Sequence, residues 1–283
     1  MSKPGMHIRK ATRDELDSII DWAAREGWNP GLNDADCYFQ ADPDGFLLGT
    51  VGGRPIASIS AVRYGDDYGF IGFYIVEPEW RGKGFGLQIW NAAIEQLAGR
   101  TVALDGVVDQ QSNYAKSGFE YAFRNVRYEG RGDGHANCNQ SIIAVKDLPY
   151  EHVLAYTSQF FPAARREFDH AWLFQPSAWA VCQLAGDAIV GCGVLRKCRN
   201  GFKIGPLLAD TEGAAESIYS ALKGHVPAGI PFFLDTPEVN EAAITLASRH
   251  GMKLSFETAR MYLGKAPVLP IERTYGITSF EVG

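Results

Sequence analysis

The run from Phe70 to Leu97, FIGFYIVEPEWRGKGFGLQIWNAAIEQL, leaves the chain little freedom in how it folds. From Phe70 to Val76 the residues are aromatic or β-branched apart from Gly72, which suits a buried strand. Pro78 ends that strand, because proline has no N–H to give a ladder. After Gly86, Leu87, Trp90, Ile94 and Leu97 recur at helical spacing. The turn Arg81-Gly82-Lys83-Gly84-Phe85-Gly86 therefore opens a helix. Glycines let successive N–H groups face one concavity, the helix end adds roughly half a positive charge, and Arg81 and Lys83 add whole ones. Such a turn is an anion site suited to a pyrophosphate.

Two familiar phosphate loops are excluded. There is no GxxxxGK followed by Ser or Thr, and no GxGxxG with an acidic residue about twenty positions on. The stretch instead resembles the R/Q-x-x-G-x-G/A motif of the GCN5-related N-acetyltransferases, preceded by that family's V-x-P-E-x turn at Val76-Glu77-Pro78-Glu79-Trp80. The resemblance implies that Arg81, Gly82, Lys83, Gly84, Phe85 and Gly86 hold the pyrophosphate of acetyl-CoA. It also implies that the strand Thr101–Val107 splays from Phe70–Val76, with the pantetheine arm in the gap bonded to the backbone of Ile75 and Val76. Asn113 to Phe119, NYAKSGF, resembles the Y-x-K-x-G-F ending of another family motif, although its helix has room for little more than two turns.

The rest of the chain fits around this unit. Met6–Lys10 reads as a first strand, and Thr12 with Glu15 forms a capping box for a helix bearing Leu16, Ile19, Ile20 and Ala23. A short helix is expected from about Asn33 to Gln40, and strands Phe46–Val51 and Ile56–Tyr64 are joined at Gly52-Gly53. At 283 residues two domains are expected. The second half echoes the first: Leu104-Asp105 and the segment from Gly118 to Tyr128 have counterparts in Leu234-Asp235 and Gly251 to Tyr262. The echo fails at the phosphate loop, where Asp210 and Glu212 stand at a helix start and would repel pyrophosphate. Residues 201–210, 234–240 and 275–281 resemble the YitH-type C-terminal acetyltransferase domain. The expected fold is thus α/β (α+β), two tandem acetyltransferase-like domains, each a mixed, mostly antiparallel sheet flanked by helices. Residues 1–145 would carry the acetyl-CoA site and residues 146–283 a degenerate copy, with Ser141–Val145 a possible last strand of the first domain.

Composition narrows the partners. A net charge of −6 disfavours nucleic acid and anionic membranes, which need a basic field. No apolar run is long enough to span a bilayer, and the first residues lack a signal-peptide core, so a cytoplasmic protein is expected. Five cysteines without CxxC spacing point to free thiols rather than disulfides or zinc, and the histidines are scattered; no metal is expected. Monomer and homodimer both remain open, since paired halves can mimic a dimer.

Acyl transfer to an amine needs a held carbonyl, a neutral amine and a proton for the leaving thiolate. The Val76 backbone N–H, where the strand ends, is the family-equivalent group for the carbonyl oxygen. Tyr114, four residues before Gly118, matches the family tyrosine near the sulfur and is the candidate acid. Glu77 is the candidate base, with Asp66, Asp67, Asp235 and Glu238 as rivals. The acidic stretches at Asp34–Asp44 and Asp66-Asp67 could draw in a cationic acceptor. The expected activity is N-acetyl transfer from acetyl-CoA to a small amine by direct attack in a ternary complex; a non-catalytic acyl-CoA-binding or regulatory module is the alternative.

Overall fold

The computed structural model describes residues 5–135 and 139–283, so Cys138 lies outside the described residues. The first half runs β1 (His7–Lys10), α1 (Arg13–Arg25), α2 (Asp34–Ala41), β2 (Phe46–Val51), β3 (Arg54–Tyr64), β4 (Tyr68–Val76), α3 (Phe85–Gln96), β5 (Thr101–Val107), α4 (Gln111–Lys116) and β6 (Glu120–Arg131). The second repeats that order: β7 (Ile142–Ala144), α5 (Tyr150–Thr157), α6 (Arg166–Leu173), β8 (Ala178–Ala185), β9 (Ala188–Lys197), β10 (Phe202–Ala209), α7 (Glu212–Lys223), β11 (Pro231–Pro237), α8 (Glu241–Arg249) and β12 (Lys253–Leu263), followed by β13 (Thr274–Gly276). The capping box at Thr12 and Glu15 forms with both bonds in place. Gly52 and Gly53 both take positive φ, the geometry a two-residue hairpin turn requires.

The two halves do not keep their own last strands. The sheet order is β1-β2-β3-β4-β5-β12-β6-β11-β10-β9-β8-β7, so β12 closes the first half's sheet and β6 the second's. Two parallel pairs, β4 with β5 and β10 with β11, sit symmetrically about the central antiparallel pair of β6 and β12. Buried ion pairs fix the exchange reciprocally. Arg260 on β12 grips Asp105 on β5 at 2.8 and 2.7 Å, and Arg127 on β6 grips Asp235 on β11 at 2.6 and 2.7 Å. These are the two Leu-Asp positions of the sequence echo. The bidentate geometry, with both partners almost fully buried, makes a slip in register leave a naked charge in the interior.

One expectation about the boundary changes. Ile142–Ala144 pairs with Val181–Gln183 on β8, so it opens the second half rather than ending the first. Its position is set by the repeat, in which β7 lies beside β8 as β1 lies beside β2.

The cores follow the same symmetry. On one face of the sheet, α3 covers a cluster around Ile59, Ile71, Ile89 and Leu104, and α7 with α8 covers another around Ile204, Ile218, Leu234 and Leu246. On the other face a single cluster joins the halves, with Tyr38 of α2 stacked on Trp172 of α6 at 5.8 Å. Among the described residues no helix is long and apolar enough to cross a membrane.

Past β12 the chain crosses both halves. β13 pairs with β10, the N–H of Ile277 just after it donates to the Asp235 carbonyl, and Thr236 donates to the Tyr275 carbonyl, so this stretch fills the gap between β10 and β11. The following residues run beneath β3 and β4. Tyr64 donates to the Val282 carbonyl at 2.7 Å and Ser60 to that of Glu281 at 3.2 Å. Gly72 admits this segment: a Cβ there would sit 2.8 Å from the Glu281 carbonyl carbon and closer still to its oxygen.

Candidate active site

Strands β4 and β5 pair from Tyr68–Thr101 only as far as Ile71–Leu104 and then part. The departure begins at an irregularity in β4. Its register against β3 shifts between Ser58 and Ser60, Phe73 takes φ 47°, and Ser58 donates to the Phe73 carbonyl at 2.9 Å. A bulge re-aims the backbone and bends the strand away from its neighbour. The opening is a cavity of about 920 Å³ that passes between the strands and is walled on both faces of the sheet.

One end of the cavity is the glycine-rich turn. Gly82 and Gly84 have positive φ, Gly84 caps α3 in the left-handed conformation, and no side chain caps the helix. The first N–H groups of α3 are thus free of intrahelical partners. Arg81 donates to the Val76 carbonyl at 2.7 Å and pairs with Glu26 at the end of α1. Lys83 donates to the Glu79 carbonyl at 2.6 Å and lies over the Trp80 ring. Gly82 and Gly86 line the cavity with Arg81, and Ile75 and Val76 form the edge of β4 beside it, so the expected cofactor residues except Lys83, Gly84 and Phe85 face the space directly. Phe85 is buried under the loop against Trp80.

Tyr114 stands farther in. Its ring stacks on Trp90 and lies against Gly106, where a Cβ would come within 2.8 Å of the ring. Burial, with Tyr74 adding to it, pushes the phenol well above its ordinary range, so the hydroxyl keeps its proton at neutral pH. Among the described residues the hydroxyl has no hydrogen-bond partner, and the side chain lines the cavity.

Glu77 is not brought to Tyr114. Its carboxylate is held by Arg25 at 2.5 Å, and the residue is absent from the cavity lining, because the proline that ends β4 turns it toward α1. The rival bases are also placed elsewhere. Asp66 and Asp67 form the β3–β4 turn, at the opposite end of β4 from the bulge; Asp235 is enclosed by Arg127 and Lys203; Glu238 accepts from Tyr121. Nor do the acids of Asp34–Asp44 form a free cation-attracting rim. Asp34 pairs with Arg196, Asp36 with Arg13, Asp42 with Arg63 and Asp44 with Lys10.

The far side of the cavity comes from parts no motif marked. Phe256 and Glu257 arrive on the exchanged β12, Phe280 and Glu281 on the terminal segment, and Trp28 follows α1. Arg127 lies beneath this wall, its guanidinium 5.0 Å from the Phe280 ring and 5.6 Å from that of Phe256. The signal for the terminal segment was Gly72, since a glycine inside an apolar strand marks a close backbone approach.

The second half shows why its own gap is closed. Thr211 caps α7 by accepting from Ala214 N, Glu212 sits in the first turn, and Asp210 is tied to Arg273 and Tyr156. Between β10 and β11 lies β13 instead of a cavity. At the position of Phe73 stands Pro206, which has no N–H to offer a carbonyl oxygen.

Two halves of one sheet with the same topology, each parting after a parallel pair and one opening onto an uncapped glycine-rich helix end, define a class of protein. The chain belongs to the GCN5-related N-acetyltransferase (GNAT) superfamily and is an acyltransferase of tandem architecture. Residues 13–119 match the Acetyltransferase (GNAT) family and residues 153–276 an Acetyltransferase (GNAT) domain. Over 275 residues the chain is 29% identical to holothin acyltransferase of Pseudoalteromonas sp. (strain SANK 73390), covering 97% of this chain and 94% of that one. A solved structure of a candidate acetyltransferase from Pyrococcus horikoshii shares the fold with a TM-score of 0.84 at 23% identity, covering 100% and 98% of the two chains. A tandem GNAT protein from the clavulanic acid biosynthesis pathway shares it with a TM-score of 0.61 at 13% identity, covering 93% of this chain and 100% of that one.

Proposed function

We propose that the protein transfers an acetyl group from acetyl-CoA to a small amine by direct attack in a ternary complex, using one site per chain in the first half. The observation that carries this reading is the single cavity joining the uncapped start of α3 to the Tyr114 hydroxyl. A pyrophosphate would take the free N–H groups of Gly84 to Gly86 and the guanidinium of Arg81, which must leave Glu26 to do so. The pantetheine arm would follow the parted edge of β4 at Ile75 and Val76, completing the sheet where β5 has left it. Bound acetyl-CoA supplies the activated acyl group as a thioester. Backbone N–H groups at the distorted end of β4 are suited to hold the carbonyl oxygen as it gains charge. Tyr114, kept protonated by burial, gives its proton to the departing sulfur. The full-length likeness to a protein named as an acyltransferase supports the reaction type. The domain division also belongs to this reading, with the boundary expected at 145 moved to just before β7: the residues preceding Ile142 supply the cofactor site, and those from Ile142 to 283 form a degenerate copy that contributes walls rather than a second reaction.

The test is thiol release from acetyl-CoA with a panel of primary amines, alongside calorimetry with coenzyme A. Arg81→Glu is expected to weaken coenzyme A binding at least tenfold, and Tyr114→Phe to lower kcat about 10²-fold with binding nearly unchanged. The reverse pattern overturns these roles. Tight coenzyme A binding with no amine-dependent thiol release by the wild type would favour a non-catalytic acyl-CoA-binding or regulatory module.

A further inference from the structure

With Glu77 turned away, the acceptor side of the cavity needs another group to receive the amine, and the terminal segment offers one. Glu281 is 3% exposed and lines the cavity. One carboxylate oxygen, Oε2, lies 3.0 Å from the Tyr38 hydroxyl, which it shares with Asp34 Oδ2 at 3.2 Å; the other takes no hydrogen bond among the described residues. Its backbone lies against Gly72, one residue before the bulge at which β4 parts from β5. Ser279 fixes the turn by accepting from the N–H groups of Glu281 and Val282. A carboxylate so buried, in a residue that lines the cavity and with one oxygen taking no hydrogen bond, is an unfilled acceptor of hydrogen bonds. The charged and titratable groups around it are Tyr38 and Asp34 from α2, Arg196 from β9 and Arg127 from β6. Beside it, Trp28, Phe256 and Phe280 give the cavity aromatic walls.

We propose that Glu281 is the acceptor-side catalytic residue: its free oxygen holds the N–H of a primary amine carried on a flat apolar body and takes that proton as the amine attacks. The inference rests on the acyl-transfer reading above and names its acceptor class. In the step, the nitrogen lone pair forms the N–C bond to the acyl carbon. The C–S bond breaks with its electrons going to sulfur, Glu281 receives the amine proton and Tyr114 protonates the thiolate. The two residues end with one proton gained and one lost, which solvent restores. The second half thus serves the first half's reaction, through β12 for the aromatic wall and through its terminal residues for the carboxylate.

The experiment compares wild type, Glu281→Gln and Phe280→Ala with 2-phenylethylamine and the linear diamine putrescine. Glu281→Gln keeps an oxygen for Tyr38, and unchanged coenzyme A affinity shows that the site is intact. Expected for Glu281→Gln is a loss of about 10²-fold or more in kcat/KM for 2-phenylethylamine, narrowing as pH is raised toward the amine's own pKa. A purely structural role would give a loss that does not narrow. Phe280→Ala is expected to lower kcat/KM for 2-phenylethylamine by a larger factor than for putrescine, so that the preference between them shrinks. Glu281→Gln within twofold of wild type, or a deficit equal at every pH, overturns the proposal. Binding of 2-phenylethylamine to the coenzyme A complex by calorimetry separates the two readings. If wild type binds it, Glu281→Gln does not, and no thiol is released from acetyl-CoA, amine recognition by Glu281 stands and acyl transfer falls. Turnover that ignores Glu281 refutes this assignment alone.

Discussion

Gly72→Ala is the most informative single change, because it adds one methyl at the point where β4, the bulge and the terminal segment meet. The glycine's φ is ordinary, so alanine brings no backbone strain, and the effect is purely steric. The new Cβ would lie 2.8 and 2.9 Å from the carbonyl carbon and Cα of Glu281, whereas ordinary contact begins at 3.4 Å. Backbone cannot rotate out of the way as a side-chain tip does, so the segment must lift. Lifting it puts at risk the burial of Phe280 and Val282, each worth about 1.5–3 kcal/mol at full exposure. The bonds from Ser60, Tyr64 and Arg165 to main-chain oxygens of 281–283 are each worth about 1 kcal/mol more. Partial displacement should therefore destabilise by about 2–4 kcal/mol, a fall in thermal midpoint on the order of 5–15 °C. Below that midpoint, faster amide exchange over 279–283 is expected, together with loss of amine-dependent turnover and coenzyme A affinity close to wild type, since the phosphate loop lies at the other end of the cavity. A variant with unchanged melting, exchange and turnover would refute both the packing argument and the placing of the acceptor wall on this segment.

Other consequences follow from the exchanged strands and the closed second gap. Arg260→Leu, which leaves Asp105 buried without its bidentate partner, should cost about 3–5 kcal/mol in urea unfolding, while the double change Arg260→Leu with Asp105→Leu should recover much of it. Burial pulls the Asp235 carboxyl upward, but the charges of Arg127 and Lys203 outweigh it and leave the group below its ordinary value. Its contribution is therefore full above the unfolded-state pKa of about 4 and is lost as pH falls through the lower folded value, so stability should decline below about pH 4, with a flatter slope in Asp235→Asn. Thr211→Ala removes the cap of α7 and should cost about 1 kcal/mol without creating coenzyme A binding in the second half, because β13 still fills its gap. The buried thiols of Cys37, Cys182, Cys192 and Cys198 should resist an aromatic disulfide reagent until the protein unfolds, Cys37 being pushed up to about 12 chiefly by burial.

Local elements were legible because their signals are local. The capping box at Thr12, the paired glycines at 52 and 53, and the strand-turn-helix of Phe70–Leu97 each declare themselves within a few residues. The duplication was legible too, through Leu104-Asp105 and Leu234-Asp235. The exchange of β6 and β12 was not, because a strand's alternation says which face is buried and nothing about which half supplies its neighbour. Only the reciprocal Arg–Asp pairing reveals the partner, and each pair is more than a hundred residues apart in the chain. The candidate site divides in the same way. Its phosphate end is written as contiguous sequence, whereas Glu257, Phe280 and Glu281 reach the cavity only through the exchange and the terminal crossing, and Glu77, next to the motif, is drawn off by Arg25.

The asymmetry between two halves of one topology has a single structural source. Two equivalent glycines, Gly72 on β4 and Gly205 on β10, each face the same terminal segment: Glu281 at the first, Ile277 and Thr278 at the second. At the second gap that segment enters as strand β13 and takes the sheet edges that a pantetheine arm would need. At the first it passes below the bulge, leaving the edge of β4 open and adding Phe280 and Glu281 to the opposite wall. The filling of the gap between β10 and β11 and the walling of the cavity between β4 and β5 are thus linked, since one terminal segment does both. A duplicated fold with exchanged strands can build such a linkage because only β12 and β6 separate the two parallel pairs. The start of α7 is accordingly acidic and self-capped, whereas Arg127 and Asp235 form a buried pair behind Phe256 and Phe280 that supports the wall of the open cavity.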